Sequence, residues 1–339
     1  MKAKNKVQAV SGVLMLFLAL SCTRSNLGED LGAINQPTTP KTDPLPSWND
    51  GRVKDAIIDF VERVTREGSP DFIPPTDRIA TFDNDGTLWA EQPVIQGMFA
   101  FVRAKKMAEK DPSLKNKQPF KAVIEGNQQY LHSMDVNQLL GLVIATHTGM
   151  TEDEFEQEAR QFFDAAKHPK LGVPVSQLVY QPQAELLQYL RDNDFKTFIC
   201  SGGTAQFMRM ISEEYYGIAD EQVIGSSFKS SFDEATNSIR REGALNTYDD
   251  RQEKPVNIQY HIGKRPVFAC GNERTGGDIY MLRFSQGNEY PSFQLLINHD
   301  DAQREFLYQE KDSISLKWAE KYNWHVVSIK NDWKKVFVR

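Results

Sequence analysis

The chain has 339 residues, 40% of them hydrophobic and 25% charged, a composition ordinary for one large or two modest soluble globular domains. Its 46 acidic residues outnumber 40 basic ones, for a formal net charge of -6. That balance argues against a nucleic-acid partner, which calls for a basic surface.

The chain begins with Lys2, Lys4 and Lys6 and an apolar run from Ala9 to Leu20, too short to span a bilayer of ~30 Å. Small residues and Cys22 follow, which is the layout of a secretory signal peptide. Residues 1–22 are therefore read as a targeting segment. The box Leu18-Ala19-Leu20-Ser21-Cys22 resembles a bacterial lipoprotein cleavage site. That resemblance implies export to the bacterial cell envelope, a lipidated Cys22, and membrane contact by lipid anchor only. Residues 23–47 hold Thr, Asn, Gly and four prolines and read as a flexible tether.

From Trp48 to Gly68 the apolar residues Val53, Ile57, Phe60, Val61 and Val64 recur on one face, predicting an amphipathic helix. A β-prone run, Ile79 to Phe82, then ends abruptly in Asp83-Asn84-Asp85-Gly86-Thr87. Residues i and i+2 of a strand share a face, so Asp83 and Asp85 should project together from a strand's carboxyl end, where open α/β sheets place their sites. Two like charges so close need a cation or a proton between them. A carboxylate that binds a metal and attacks phosphorus, beside one that acts as acid and then base, accounts for both. Gly86 permits the tight turn and is expected to free amide N–H groups for an anion.

Residues 94–174 read as helical, with a Thr151/Glu154 capping box ahead of the stripe Phe155, Ala159, Phe162, Phe163 and Ala166. After Pro182 helices and strands alternate. Strands are expected over 195–200, 223–228, 266–270, 292–298 and 324–329, with a hairpin near 229–246 and helices over 184–192, 203–214 and 256–262. Alternation of this kind predicts an α/β fold, a mostly parallel sheet covered on both faces. Cys200 and Cys270 each end a strand-like run. A disulfide is open to an exported protein, but small buried core residues are the preferred reading.

The run Asp83-Asn84-Asp85-Gly86-Thr87 resembles the first motif of the haloacid dehalogenase superfamily, most of whose members are Mg2+-dependent phosphatases. The resemblance implies a Rossmann-like three-layer core, here 48–93 and 175–339, with an inserted helical cap at 94–174. Three further segments match its later motifs in order. Cys200-Ser201-Gly202-Gly203-Thr204 ends a strand and is read as opening a helix, with Ser201 and the Gly202 amide as a phosphate cradle. Lys254, opening the helix before a strand, matches the basic third motif, with Lys264 as competitor. Gly271-Asn272-Glu273-Arg274-Thr275-Gly276-Gly277-Asp278 resembles the metal-binding fourth motif, with Asp278 as ligand and Glu273 as fallback. Asn272 and Asp278 are six apart where four is the commoner spacing, so this loop is two residues longer.

The resemblance implies that Asp83 attacks a phosphomonoester, that Asp85 handles the proton, and that Ser201 and Lys254 stabilise the phosphoryl oxygens. Mg2+ would be held by Asp83, the backbone carbonyl of Asp85, and Asp278. Gly86, Thr87, Gly202 and Glu91 are the expected substrate-binding residues, and Glu91 suggests an amine-bearing substrate. The competing function is a catalytically lapsed lipoprotein that binds a phosphorylated ligand or partner, for which the longer loop speaks.

Overall fold

The computed structural model describes residues 42–274 and 276–339. The expected signal segment with Cys22, and the tether up to residue 41, lie outside the described residues. Strand β1 (Ile79–Phe82) is buried along its whole length, as a central strand covered on both faces requires. It pairs in parallel with β2 (Lys196–Thr204) on one side and β5 (Phe268–Asn272) on the other. With β3 (Val223–Asp233), β4 (Ser238–Thr247), β6 (Phe293–Asn298) and β7 (His325–Ser328), the sheet order is β4-β3-β2-β1-β5-β6-β7. Only β4 runs antiparallel, as the return arm of the predicted hairpin. This is the doubly wound α/β architecture that the alternating pattern implies.

Helix α1 (Arg52–Thr65) buries Ile57, Phe60, Val61 and Val64, the predicted stripe. Phe60 lies 5.3 Å from Phe293, which stacks at 5.3 Å on Phe268, so the helix is seated on β5 and β6. Between β1 and β2 the chain is helical, with α2 (Ile95–Lys110), α3 (Phe120–Glu125), α4 (Gln128–Ser133), α5 (Val136–His147) and α6 (Glu152–Ala165) in the insertion and α7 (Gln181–Asp192) after it. The capping box of α6 is made: Thr151 N–H donates to Glu154 at 2.8 Å and Glu154 N–H to Thr151 at 3.1 Å, an arrangement that stabilises a helix by about 1 kcal/mol.

This insertion does not stand apart from the core. Asp43–Arg339 forms one unit, and an aromatic cluster is the physical reason. Phe99 of α2 meets Phe155, Phe162 and, at 5.3 Å, Phe207 of α8 (Ala205–Tyr216). His147 packs edge-on against Phe99. Burial, with Arg241 adding to it, holds its imidazole down to about 3, so the ring is neutral while the Arg241 guanidinium lies 3.7 Å from the Phe155 centroid.

Two expected boundaries shift. Residues 43–47 belong to the fold and not to the tether: Leu45 is fully buried, and Ser47 N–H donates to Glu185 at 2.8 Å. A polar, proline-rich composition concealed one leucine that the core covers. Strand β2 also runs past Ser201 to Thr204, and α8 starts only at Ala205. The two glycines do not end the strand, because β3 keeps pairing across an irregularity between Ser201 and Thr204.

Candidate active site

The parallel register brings Phe82 level with Ile199 and Cys270, so Asp83, Cys200 and Gly271 come to the sheet's carboxyl edge together. Asp83 N–H donates to the Cys270 carbonyl at 3.0 Å, extending the ladder one step and fixing where the carboxylate starts. Beyond it the chain turns back on itself. Gly86 adopts φ 75°, a left-handed conformation that favours glycine. The turn corrects one expectation: the Gly86 N–H is spent on the Trp89 carbonyl at 2.8 Å and that of Thr87 on Asn84 at 3.1 Å. The N–H groups without a partner among the described residues are instead those of Asn84 and Asp85.

Lys254, second residue of α9 (Glu253–Ile262), is 2% exposed. Its Nζ donates to Asp83 Oδ1 at 2.8 Å, to Asp278 Oδ1 at 2.6 Å and to the Cys200 carbonyl at 2.9 Å. Burial works against the ammonium, but Asp278 and Asp83 outweigh it and hold it well above the usual lysine range. The competitor Lys264 lies elsewhere. It bonds Thr76 and Asp77, which precede β1, at the opposite edge of the sheet.

Asp278 shares the site despite the longer loop. Gly271 permits this, since a Cβ there would stand 2.4 Å from that of Asp278. The Asn272 side-chain amide nitrogen lies 2.8 Å from the Asp85 carbonyl, 3.3 Å from Asp83 Oδ2 and 3.4 Å from Asp278 Oδ2. Three oxygens, two of them carboxylate, thus converge where a single donor now stands. That hard-oxygen set suits Mg2+, and it is the trio anticipated from the motifs. Among the described residues no group of three or more His, Cys, Asp or Glu side chains is placed to hold a metal ion; the set here is two carboxylates and a backbone carbonyl. Charge points the same way. Burial raises the Asp83 carboxyl well above its ordinary range, Asp278 adds to the rise and Lys254 opposes it. One ammonium does not neutralise the acids around it. Glu273, the fallback ligand, is turned away: its buried carboxylate faces Glu310 and, mainly through burial, is raised to about 7.

Asp85 Oδ1 accepts a 2.7 Å hydrogen bond from the Trp89 indole, leaving Oδ2 for chemistry. Burial raises its carboxyl, with Trp89 and then Arg274 opposing. Ser201 is buried one residue past the carbonyl that Lys254 caps, and its Oγ accepts from Gly203 N–H at 3.3 Å. Gly202 stands beside Asp249 and Asp250, and its carbonyl accepts from Ser226. Thr87 Oγ1 is 3.3 Å from the Asn272 amide. Glu91 is 4% exposed and pairs with Arg274 at 2.6 Å.

Sequence reasoning missed several neighbours. Arg274, a basic residue inside the longer loop, left a signal that could have been read. Tyr308 and His299 left none. His299 Nε2 is 2.9 Å from the Gly86 carbonyl, and its ring stacks on Tyr308 at 4.1 Å. The segment after β6 therefore covers the catalytic turn.

Comparisons with known proteins bear on the fold and the family. No curated protein matches the chain. Among solved structures, a conserved, functionally unknown protein from Anaerococcus prevotii DSM 20548 has a TM-score of 0.55 at 12% identity, covering 85% of this chain and 94% of that one. A protein with unknown function from Bordetella pertussis Tohama I gives 0.49 at 12% identity, over 74% and 98% of the chains. A phosphoserine phosphohydrolase-like protein from Francisella tularensis subsp. tularensis SCHU S4 gives 0.38 at 14% identity, over 74% and 94%. At 12% identity the likeness to the Anaerococcus prevotii protein is one of fold alone. The family model for haloacid dehalogenase-like hydrolases, however, matches residues 80–283, more than half of the chain and every strand-end residue described above. The chain belongs to the haloacid dehalogenase-like hydrolase family.

Proposed function

We propose that the protein is a Mg2+-dependent phosphatase of small phosphomonoesters, working through an aspartyl-phosphate. The observation that carries this reading is Asp83, set at a strand end against Lys254 with Asp278 and the Asp85 carbonyl beside it. Asp83 attacks phosphorus as the leaving oxygen departs, and Asp85 Oδ2 gives that oxygen its proton. Water then attacks the phosphorus and gives a proton back to Asp85, which releases phosphate and restores Asp83. Burial raises the Asp85 carboxyl, the direction that the first step needs. Lys254, Ser201 and the open N–H groups of Asn84 and Asp85 are placed to stabilise the phosphoryl oxygens. Mg2+, when bound by Asp83, Asp278 and the Asp85 carbonyl, screens repulsion between carboxylate and phosphate.

The lapsed, binding-only alternative is the weaker reading, because the longer loop still delivers Asp278 to Lys254. An amine-bearing substrate forms no part of the proposal, since an ammonium would have to displace Arg274 from Glu91. Export and anchoring through Cys22 belong to the proposal on the layout of residues 1–22. Among the described residues no helix is long and apolar enough to cross a membrane.

The test is hydrolysis of an aryl phosphate by the full-length protein with Mg2+ or EDTA, in wild type and Asp83→Asn, with melting followed in parallel. Turnover should need Mg2+ and fall at least a hundredfold in a well-folded Asp83→Asn. Substantial activity in that variant would remove Asp83 as nucleophile.

A further inference from the structure

The extra length of the 271–278 loop puts Arg274 beside the site, and its surroundings are built for a ligand. Its Nη1 donates to Glu91 Oε2 at 2.6 Å, while Nε and Nη2 make no hydrogen bond among the described residues. The side chain is 34% exposed and its guanidinium lies 6.0 Å from the Tyr308 ring centroid. Glu91 Oε1 and Tyr308 Oη are buried, and the Tyr308 hydroxyl faces the Glu91 carboxylate as its hydrogen-bond partner. That pair leaves Nε and Nη2 of Arg274 as the donors open to a ligand.

These surroundings open into a cleft of about 500 Å³ lined by Gln92, Arg251, Arg274, Tyr308 and Lys311, among others. Tyr308 joins the cleft to the chemistry, because a Cβ at Gly86 would stand 3.0 Å from its hydroxyl. Three cations face two carboxylates in the lining, Glu310 and Asp312, and Glu310 is occupied by the Ser315 N–H. Arg251 is held at φ 52°, a conformation that costs a non-glycine residue about 1 kcal/mol or more. Its ion pair with Asp250 is loose, at 3.8 Å. An anion would find here an open guanidinium fork, Nε and Nη2 of Arg274, suited to bidentate pairing.

We propose that Arg274 reads the leaving group, and that the preferred substrate is a phosphomonoester whose alcohol carries a carboxylate or another anionic group. This rests on the phosphatase reading. The Glu91–Arg274 pair orients the guanidinium, and the cleft holds the rest of the alcohol.

The test compares three esters of two-carbon alcohols on the full-length protein: phosphoglycolate, ethyl phosphate and phosphoethanolamine. Wild type should show kcat/KM highest for phosphoglycolate, at least tenfold above phosphoethanolamine. Arg274→Met should shrink that ratio below threefold, chiefly through KM for phosphoglycolate, and Arg274→Lys should keep part of it. If Arg274→Met melts early, Glu91→Gln serves instead: freeing Nη1, it should raise the preference. Equal loss on all three esters in Arg274→Met, or a wild-type preference for phosphoethanolamine, overturns the assignment. Turnover of an aryl phosphate without preference for phosphoglycolate sinks the role of Arg274 alone. No turnover of any ester sinks the phosphatase reading as well.

Discussion

Replacing Glu91 by Gln should make the protein more stable at neutral pH and leave it unchanged in acid. Burial raises the Glu91 carboxyl from 4.5 to about 7, with Arg274 opposing. Below pH 4.5 the residue is protonated in both folded and unfolded chains and carries no penalty. Between pH 4.5 and 7 the unfolded chain ionises first, so folding loses about 1.4 kcal/mol per pH unit. Above pH 7 the loss levels off at about 3 kcal/mol. Gln matches the neutral form in shape and never ionises. Urea denaturation from pH 4.5 to 8 should therefore give coincident midpoints for the two proteins at the acid end. The variant should gain steadily towards pH 7 and hold a constant lead above it. Curves that stay parallel across the range would refute the claim that Glu91 is buried without adequate compensation.

Lys254→Met removes the one cation shared by Asp83 and Asp278, and should destabilise the protein by about 3–5 kcal/mol at neutral pH in EDTA. Added Mg2+ should recover part of this by binding the folded state; a melting temperature matching wild type in EDTA would contradict the buried network. Cys200 and Cys270 are free, buried thiols on strands that flank β1, so thiol counting on denatured, unreduced protein should find both unpaired. Cys22→Ser should move the protein from the membrane fraction to the soluble exported fraction, and a soluble wild type with an unmodified N-terminus would replace the lipid anchor with a plain secretory signal.

What could be read in advance was whatever obeys a local pattern. Asp83 follows from its place just past the end of β1, and Lys254 from its place at a helix start, whereas the turn and not the strand's two-residue repeat places Asp85. The order of helices and strands implied the parallel sheet. Where partners come from far along the chain, local pattern failed. Glu91, Arg274 and Tyr308 meet through the sheet's crossovers, and no spacing rule links them. The amide of Gly86 was expected to be free, yet the carbonyl of Trp89, three residues on, takes it. Gly202 and Gly203 looked like a strand's end, but pairing with β3 carried β2 through them. Composition misjudged residues 43–47 because a single leucine, Leu45, outweighs its polar neighbours once covered.

The aromatic cluster around Phe99 bears on traffic through the site. Rotation of the helical insertion as a lid would have to part Phe99 and Phe163 from Phe207, at 5.3 and 4.7 Å, each contact contributing roughly 0.5–1.5 kcal/mol beyond burial. It would also break the double tie of Gln96 to Thr204, at 2.7 and 3.0 Å. The insertion is thus better built as a fixed wall than as a gate. Under the proposed function, the cleft beside Tyr308 is then the route offered to substrate and product, and the residues at its mouth, rather than a swinging cap, would set the pace of exchange with solvent.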